Sequence, residues 1–104
     1  MELAKAVYER TREIPQSELY GLTQQIRRAA VSIPSNIAEG SQRKNLKEYT
    51  YFLRISYGSA AELETQLLLT RALFPPITIS DLESMLNEIQ KMLNVMLKKL
   101  EARI

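Results

Sequence analysis

The 104-residue chain contains no cysteine and no histidine, and it has only three glycines and four prolines. The lack of cysteine excludes disulfides, thiolate metal sites and cysteine nucleophiles, and it makes a reducing cytoplasm the simplest setting. The lack of histidine excludes an imidazole base, a Ser-His-Asp triad and imidazole metal ligands. Many of the side chains that most often carry out catalysis or bind transition metals are therefore absent.

Long hydrophobic runs are also missing. Apolar runs such as Leu67 to Leu69 are far too short to cross a bilayer. A charged amphipathic segment follows Met1, so we expect no signal peptide. These features predict a cytoplasmic protein that does not associate with a membrane.

The residues that are present favour a folded helical domain. Apolar residues make up 45% of the chain, and strong helix formers such as Leu, Ala, Glu, Lys and Gln are abundant. A chain of this length forms one domain, which we place at residues 1–104. The net charge of +2 and the pI of about 9.0 permit nucleic-acid binding without requiring it.

Hydrophobic periodicity divides the chain into four helical segments. The spacing of apolar residues predicts helices at residues 2–14, 23–40, 45–74 and 80–103. Pro15 ends the first segment, and Pro75 with Pro76 ends the third, because proline cannot continue a helix. No segment alternates as a strand does. The sequence therefore predicts an all-α protein.

Capping signals mark the ends of these segments. Thr23 is a predicted N-cap of the second helix, and Gly40 fits the C′ position at its other end. Asn45 and Ser80 are each followed by a glutamate three residues later, which predicts a capping box at the start of the third and fourth helices.

Four amphipathic helices with short connections predict an antiparallel up-down-up-down four-helix bundle. At about 1.5 Å per residue, the third helix would be roughly 45 Å long and the first only about 20 Å. One bundle cannot cover both ends of the longer apolar stripe, and Phe52 and Ile55 lie beside that stripe. We therefore expect another copy of the chain to bury the remaining apolar surface.

The stretch SIPSNIAEG, residues 32–40, contains a proline within the second helical segment. Because Pro34 has no backbone N–H, the helix either continues through a kink or restarts with Ser32 as its cap. Ile33 and Ile37 keep the apolar stripe in register across the proline, which favours a single kinked helix.

Two polar residues of the same stretch, Asn36 and Glu39, also allow two interpretations. They satisfy backbone or arginine partners near the helix end, or they form a pocket in which Glu39 is an acid or a ligand. The first interpretation is favoured because a site needs a second convergent chemical group, and none can be named.

No set of side chains forms a recognisable catalytic or metal site. Ser56 and Ser59 have no base to activate them, and small residues within a helix more often mark close helix packing. Glu62 and Glu64 lack the histidines of a di-iron bundle, and no loop has ligand spacing for Mg²⁺ or Ca²⁺. We therefore expect no catalytic residues, no enzyme activity, no metal and no cofactor.

Basic residues concentrate between positions 27 and 54. This segment contains six basic residues and two acidic ones, Glu39 and Glu48, so its net charge is +4, whereas the net charge of the whole chain is +2. In an oligomer this surface would repeat in every subunit, and repeated contacts to phosphate add up. The candidate nucleic-acid-binding residues are Arg27, Arg28, Arg43, Lys44, Lys47 and Arg54.

Residues 21–73 carry a family resemblance. The segments IRRAAVSIPSNIAEG and FLRISYGSAAELETQL, joined by a basic turn, resemble the 23S ribosomal RNA intervening-sequence proteins, also called four-helix bundle proteins. The resemblance implies a left-handed antiparallel bundle that assembles as a homopentameric ring. It also implies a bacterial protein without an established enzyme activity.

The implied fold is similar to that of accessory proteins of diversity-generating retroelements, which act with nucleic acid and a reverse transcriptase. This similarity suggests structured RNA or other nucleic acid as a partner, and a protein such as a reverse transcriptase as another. The competing hypothesis is a protein-interaction scaffold whose charges serve only solubility. Fold similarity alone does not decide between the two hypotheses.

Overall fold

The computed structural model describes residues 2–104 and is helical in all its regular elements. The four main helices are α1 (Glu2–Arg10), α2 (Gln24–Ser41), α3 (Leu46–Leu73) and α4 (Ser80–Glu101). Short 3-10 turns and one π-turn connect α1 to α2, and no strand occurs in the described range. The predicted all-α class and the four predicted helices are confirmed, but the first α-helix ends at Arg10 instead of residue 14, because Thr11–Glu13 form a 3-10 turn.

Neighbouring helices run antiparallel, as predicted. Ser32 of α2 faces Ser59 of α3, whereas Gly40, further along α2, lies beside Phe52, which comes earlier in α3. The same reversal joins α3 to α4, where Arg54 pairs with Glu101 and Arg71 pairs with Glu83. The first helix packs against both α2 and α4 and closes the bundle.

The core consists of two clusters along the bundle. The larger cluster lies where all four helices meet, and it includes Val7, Ile26, Leu63 and Leu82. The smaller cluster is centred on Leu53, and there only α2, α3 and α4 contribute side chains. This division follows from helix length, because α1 has nine residues and α3 has 28, or about 14 and 42 Å at 1.5 Å per residue.

The single chain leaves apolar side chains exposed on its outer surface. On α3, four apolar residues lie on the side of the helix that faces away from the core, and α4 exposes two more apolar side chains. The exposed residues are Tyr51, Ile55, Leu69, Leu73, Met92 and Val95. Patches of this kind on a small domain commonly mark an interaction surface.

The helix α2 continues through Pro34 to Ser41 without a new start. The alternative in which Ser32 caps a second helix is therefore wrong. The Ser32 hydroxyl instead lies 2.7 Å from the Ser59 hydroxyl of α3. The carbonyl oxygen of Ile33, just before the proline, accepts a hydrogen bond of 2.8 Å from the buried hydroxyl of Ser56.

The capping predictions have mixed outcomes. Asn45 caps α3 as predicted, since its Oδ1 accepts a 2.9 Å hydrogen bond from the backbone N–H of Glu48. The Ser80 prediction is wrong, because α4 begins at Ser80 with Ile79 as the preceding residue and no side-chain capping bond. The Thr23 prediction is also wrong: Thr23 has helical backbone angles, and the π-turn Leu19–Thr23 leads directly into α2.

Gly40 does not end the second helix, so its predicted C′ role is wrong. It lies inside α2 with no positive φ, and it is buried against α3. A Cβ atom at Gly40 would lie 2.9 Å from the Cβ of Phe52 and 3.0 Å from Cδ1 of Tyr49. The glycine therefore permits the two helix backbones to approach closely.

Candidate nucleic-acid interface

The turn between α2 and α3 carries three of the six predicted cations. Lys44 and Lys47 are exposed, and neither forms an ion pair within residues 2–104. Arg43 is engaged locally: its guanidinium pairs with Glu39 and lies 4.7 Å from the centre of the Phe52 ring. The turn therefore offers two available ammonium groups and one arginine that also supports packing.

Arg54 lies further along α3 and is tied to the end of α4. Its Nε and Nη2 donate hydrogen bonds of 2.9 and 2.7 Å to the same Glu101 carboxylate oxygen. This pair is exposed, so it contributes little stability. It nevertheless neutralises much of the charge that the sequence assigned to this position.

Arg27 and Arg28 lie on α2, away from the turn. Arg28 is exposed and forms no ion pair within the described part of the chain. It precedes Ser41, the last residue of α2, by 13 positions, which is about 20 Å of helix. Five of the six predicted residues therefore form two separate groups, one at the turn and one on α2, and Arg54 lies apart from both.

The second of these groups borders a groove that the sequence did not single out. The groove has a volume of about 540 Å³, and α1, the π-turn and α2 form its walls. Tyr8 is 43% exposed and Tyr20 is 86% exposed beside it, and Arg27 and Arg28 line its α2 side. A second depression of about 290 Å³ adjoins it, shares Leu19 and Arg27, and adds Arg12.

Arg27 is held in place at this groove. Its Nε donates a 2.9 Å hydrogen bond to Oγ1 of Thr11, whose own hydroxyl donates to the carbonyl of Val7 at 2.7 Å. The guanidinium carbon lies 4.8 Å from the centre of the Tyr8 ring. These contacts join α2 to the end of α1 and fix both the arginine and the tyrosine.

The family model of the 23S rRNA-intervening sequence protein matches residues 1–95, which covers nearly all of these elements. This chain belongs to the 23S rRNA-intervening sequence protein family. The resemblance carried by residues 21–73 is thereby confirmed. A comparison with curated proteins gives no match.

In this 23S rRNA-intervening sequence protein, the polar residues of SIPSNIAEG have structural partners. The side-chain amide of Asn36 donates to the carbonyl and the hydroxyl of Ser32 at 2.8 and 2.9 Å. Glu39 pairs with Arg43 on the next helical turn. This is the arrangement of the favoured interpretation, in which both residues satisfy partners near the helix end.

The described residues contain few groups with perturbed acid-base chemistry. Arg10 at the end of α1 donates to Asp81 at 2.9 and 2.8 Å, and it also donates to the carbonyl of Thr78. The hydrogen bond from Arg10 lowers the pKa of Asp81, in spite of an opposing effect of burial. The pair fastens α1 to α4, a structural role.

Residues 2–104 contain no group of three or more His, Cys, Asp and Glu side chains arranged to hold a metal ion. None of the helices in that range combines the length and apolarity that a bilayer crossing requires.

The tyrosine-lined groove was missed because its parts are dispersed in the sequence. Tyr8 and Arg12 lie one helical turn apart, which is a local signal that both face one side of the first helix. Tyr20 lies in a connection whose path depends on tertiary packing, so its position beside Arg28 had no sequence signal.

Proposed function

We propose that this 23S rRNA-intervening sequence protein is a non-enzymatic, self-associating helical bundle that binds RNA or another nucleic acid. Binding uses exposed cations that repeat in each subunit. The observation that carries the proposal is the pair Lys44 and Lys47, both exposed at the α2–α3 turn and without an ion-pair partner in residues 2–104. Glu48, the acidic residue next to Lys47, is hydrogen-bonded to the Asn45 side chain.

The self-association part of the proposal is supported by the apolar residues on the outer face of α3. Tyr51 and Leu73 are 58% and 56% exposed, and Ile55 and Leu69 lie on the same side of the helix. A helix with an apolar stripe on its outer face gains free energy when another surface covers it. A homopentamer is the expected stoichiometry, on the family resemblance.

Assembly would change the strength of the basic surface. Two lysines on a monomer release few counterions and bind phosphate weakly. A ring of subunits presents the same pair several times on one particle, so contacts to one nucleic acid become effectively intramolecular. Lysine contacts to phosphate carry no base information, and we therefore expect binding to follow charge and shape.

The test compares the parent chain with the double variant Lys44→Ala, Lys47→Ala in filter binding to a structured RNA over a range of salt concentrations. Each phosphate contact that is lost should lower the salt slope by about 0.7 to 0.9 per engaged subunit. Arg43 is left unchanged because its contacts with Phe52 and Glu39 support packing.

The control is Lys5→Ala, Lys91→Ala, which removes the same charge from exposed positions on α1 and α4, although Lys91 is paired with Glu88. The proposal predicts weaker binding for the turn variant than for the control, at unchanged particle mass in light scattering. Equal binding by parent and turn variant, or no binding at low salt, would exclude these lysines as the interface.

The apolar outer face of α3 and α4 also favours a second candidate, a scaffold for a different protein. Met92 and Val95 of α4 are also exposed, and Met92 borders a depression lined by α1 and α2, so α4 adds a separate apolar patch. A scaffold without nucleic-acid affinity predicts no RNA binding at any salt concentration. If the parent chain is a monomer in solution, no second copy covers the exposed apolar face. A different protein is then the better candidate to bind it, which favours the scaffold hypothesis.

A further inference from the structure

We infer that the groove between α1, the π-turn and α2 binds unpaired nucleotides of a single-stranded nucleic acid, with Tyr20 stacking on a base and Arg28 contacting phosphate. This inference rests on the proposed function and extends it, because it adds a second contact region with a different ligand preference. The turn lysines would bind the phosphate backbone of paired and unpaired strands, whereas this groove would select strands whose bases are not paired.

The exposure of the tyrosines supports stacking. Tyr20 is 86% exposed, so its ring contributes little to the core. Its neighbours in the π-turn, Leu22 and Thr23, are buried and anchor the turn. A tyrosine held on an anchored turn offers a flat surface to a base at low entropic cost, and base–aromatic stacking tolerates any base.

The charge of the groove points to an anionic ligand. The two adjoining depressions are lined by three arginines, Arg12, Arg27 and Arg28, and among the described residues that line them there is no carboxylate. Arg27 uses N–H groups toward Thr11 and Tyr8, and a guanidinium has five N–H donors, so others are left for phosphate.

The shape of the groove fits a strand rather than a compact ligand. The depressions of about 540 and 290 Å³ share Leu19 and Arg27, so they lie side by side at the end of α1. Aromatic rings and arginines along adjoining open depressions are the combination that single-strand binders use. Within a paired duplex the bases are stacked on each other, so none away from the duplex ends can lie on Tyr20.

The experiment measures binding of the full chain to a fluorescently labelled uridine 15-mer and to a blunt RNA duplex, by anisotropy. Tyr20→Ala should weaken binding to the uridine strand by about 5- to 150-fold and leave duplex binding unchanged. Tyr20→Phe should retain the parent affinity, because phenylalanine keeps the stacking face. The matched control is Tyr57→Ala, a 38% exposed tyrosine on α3 outside the groove.

Arg28→Gln provides an independent variant, and it should lower the salt slope for the uridine strand by about 0.7. If the parent binds RNA but Tyr20→Ala binds the uridine strand equally well, the groove inference is wrong while the proposed function stands. If the parent binds neither probe, both are wrong. A change in particle mass for Tyr20→Ala in light scattering would identify the groove as a contact between copies and would also overturn the inference.

Discussion

The glycine at position 40 permits a sharp test of how α2 and α3 pack. A Cβ at Gly40 would lie 2.9 Å from Cβ of Phe52, and Cβ atoms are tied closely to the backbone. Gly40→Ala therefore forces the two helices apart or displaces a ring. Gly58 on α3 is the matched control, because it is also helical but exposed, and its Cβ would meet no atom within 4 Å.

The expected magnitudes combine two opposing effects. Replacing glycine by alanine in a helix interior stabilises by about 1 kcal/mol through helix propensity. Forcing extra volume into a well-packed contact costs about 1–3 kcal/mol. Gly58→Ala should therefore raise the free energy of unfolding by up to about 1 kcal/mol. The free energy of unfolding of Gly40→Ala should be about 1–3 kcal/mol lower than that of Gly58→Ala, because only the substitution at Gly40 adds the packing cost.

The assay is thermal unfolding followed by far-UV circular dichroism. For a domain of this size, about 1 kcal/mol shifts the melting temperature by about 4–8 °C. Each variant should be measured at two protein concentrations, since self-association makes the melting temperature depend on concentration. If Gly40→Ala were as stable as Gly58→Ala at both concentrations, the close approach of α2 and α3 at this position would be refuted.

Three further predictions concern the core, the caps and the Arg10–Asp81 pair. Leu63 is 0% exposed on the central seam of α3, so Leu63→Ala should lower the free energy of unfolding by about 2–5 kcal/mol in urea unfolding. A loss near zero would contradict the placement of Leu63 in the core. Asn45→Ala should cost about 1 kcal/mol by removing the α3 cap. Ser80→Ala should change stability by less than about 0.5 kcal/mol, because Ser80 makes no capping bond. Equal losses of stability in Asn45→Ala and Ser80→Ala would show that the two residues do not differ as caps. Arg10 lowers the pKa of Asp81, so the pair stabilises the fold above the unfolded carboxyl pKa of about 3.9, and this contribution is lost as pH falls through the lower folded pKa. Asp81 is half-exposed, so Asp81→Asn should lower the free energy of unfolding by less than about 1 kcal/mol at neutral pH and not at all in strong acid. A pH series of urea unfolding tests this. A stability difference between parent and variant that grows on acidification would contradict the linkage.

The four helices were predictable because their signal is local. The seam through Leu53 and Leu63 steps by three and four residues, and the capping interaction of Asn45 spans only three residues. The continuation of α2 through Pro34 was also predictable, because Ile33 and Ile37 stay in register on either side of the proline. Local periodicity is enough wherever a helix buries one continuous stripe.

Positions where two local roles compete could not be assigned from the sequence. A glycine near a helix end fits either a C′ position or a close packing contact, and only the approach of Phe52 decides in favour of packing at Gly40. Ser80 and Glu83 have the spacing of a capping box, but Glu83 pairs with Arg71 across the α3–α4 interface. That partner is 12 residues away in the chain, beyond any capping pattern.

The basic surface was predictable only in part, for the same reason. The positive segment was visible in the sequence, and Lys44 and Lys47 are exposed within it. The partner of Arg54 is Glu101, 47 residues further along, so its neutralisation required the fold. The groove at Tyr20 likewise depends on where the connection between α1 and α2 packs, and that position is set by tertiary contacts.

The salt dependence of RNA binding by the parent chain tests the proposed function most directly. With a paired RNA, which engages the turn and not the groove, contacts from Lys44 and Lys47 of one subunit give a slope of at most about 1.8 in a plot of log affinity against log salt. An assembly that engages at least two subunits predicts a slope steeper than about 3. A shallower slope, or no binding at low salt, would contradict the account of a repeated basic surface.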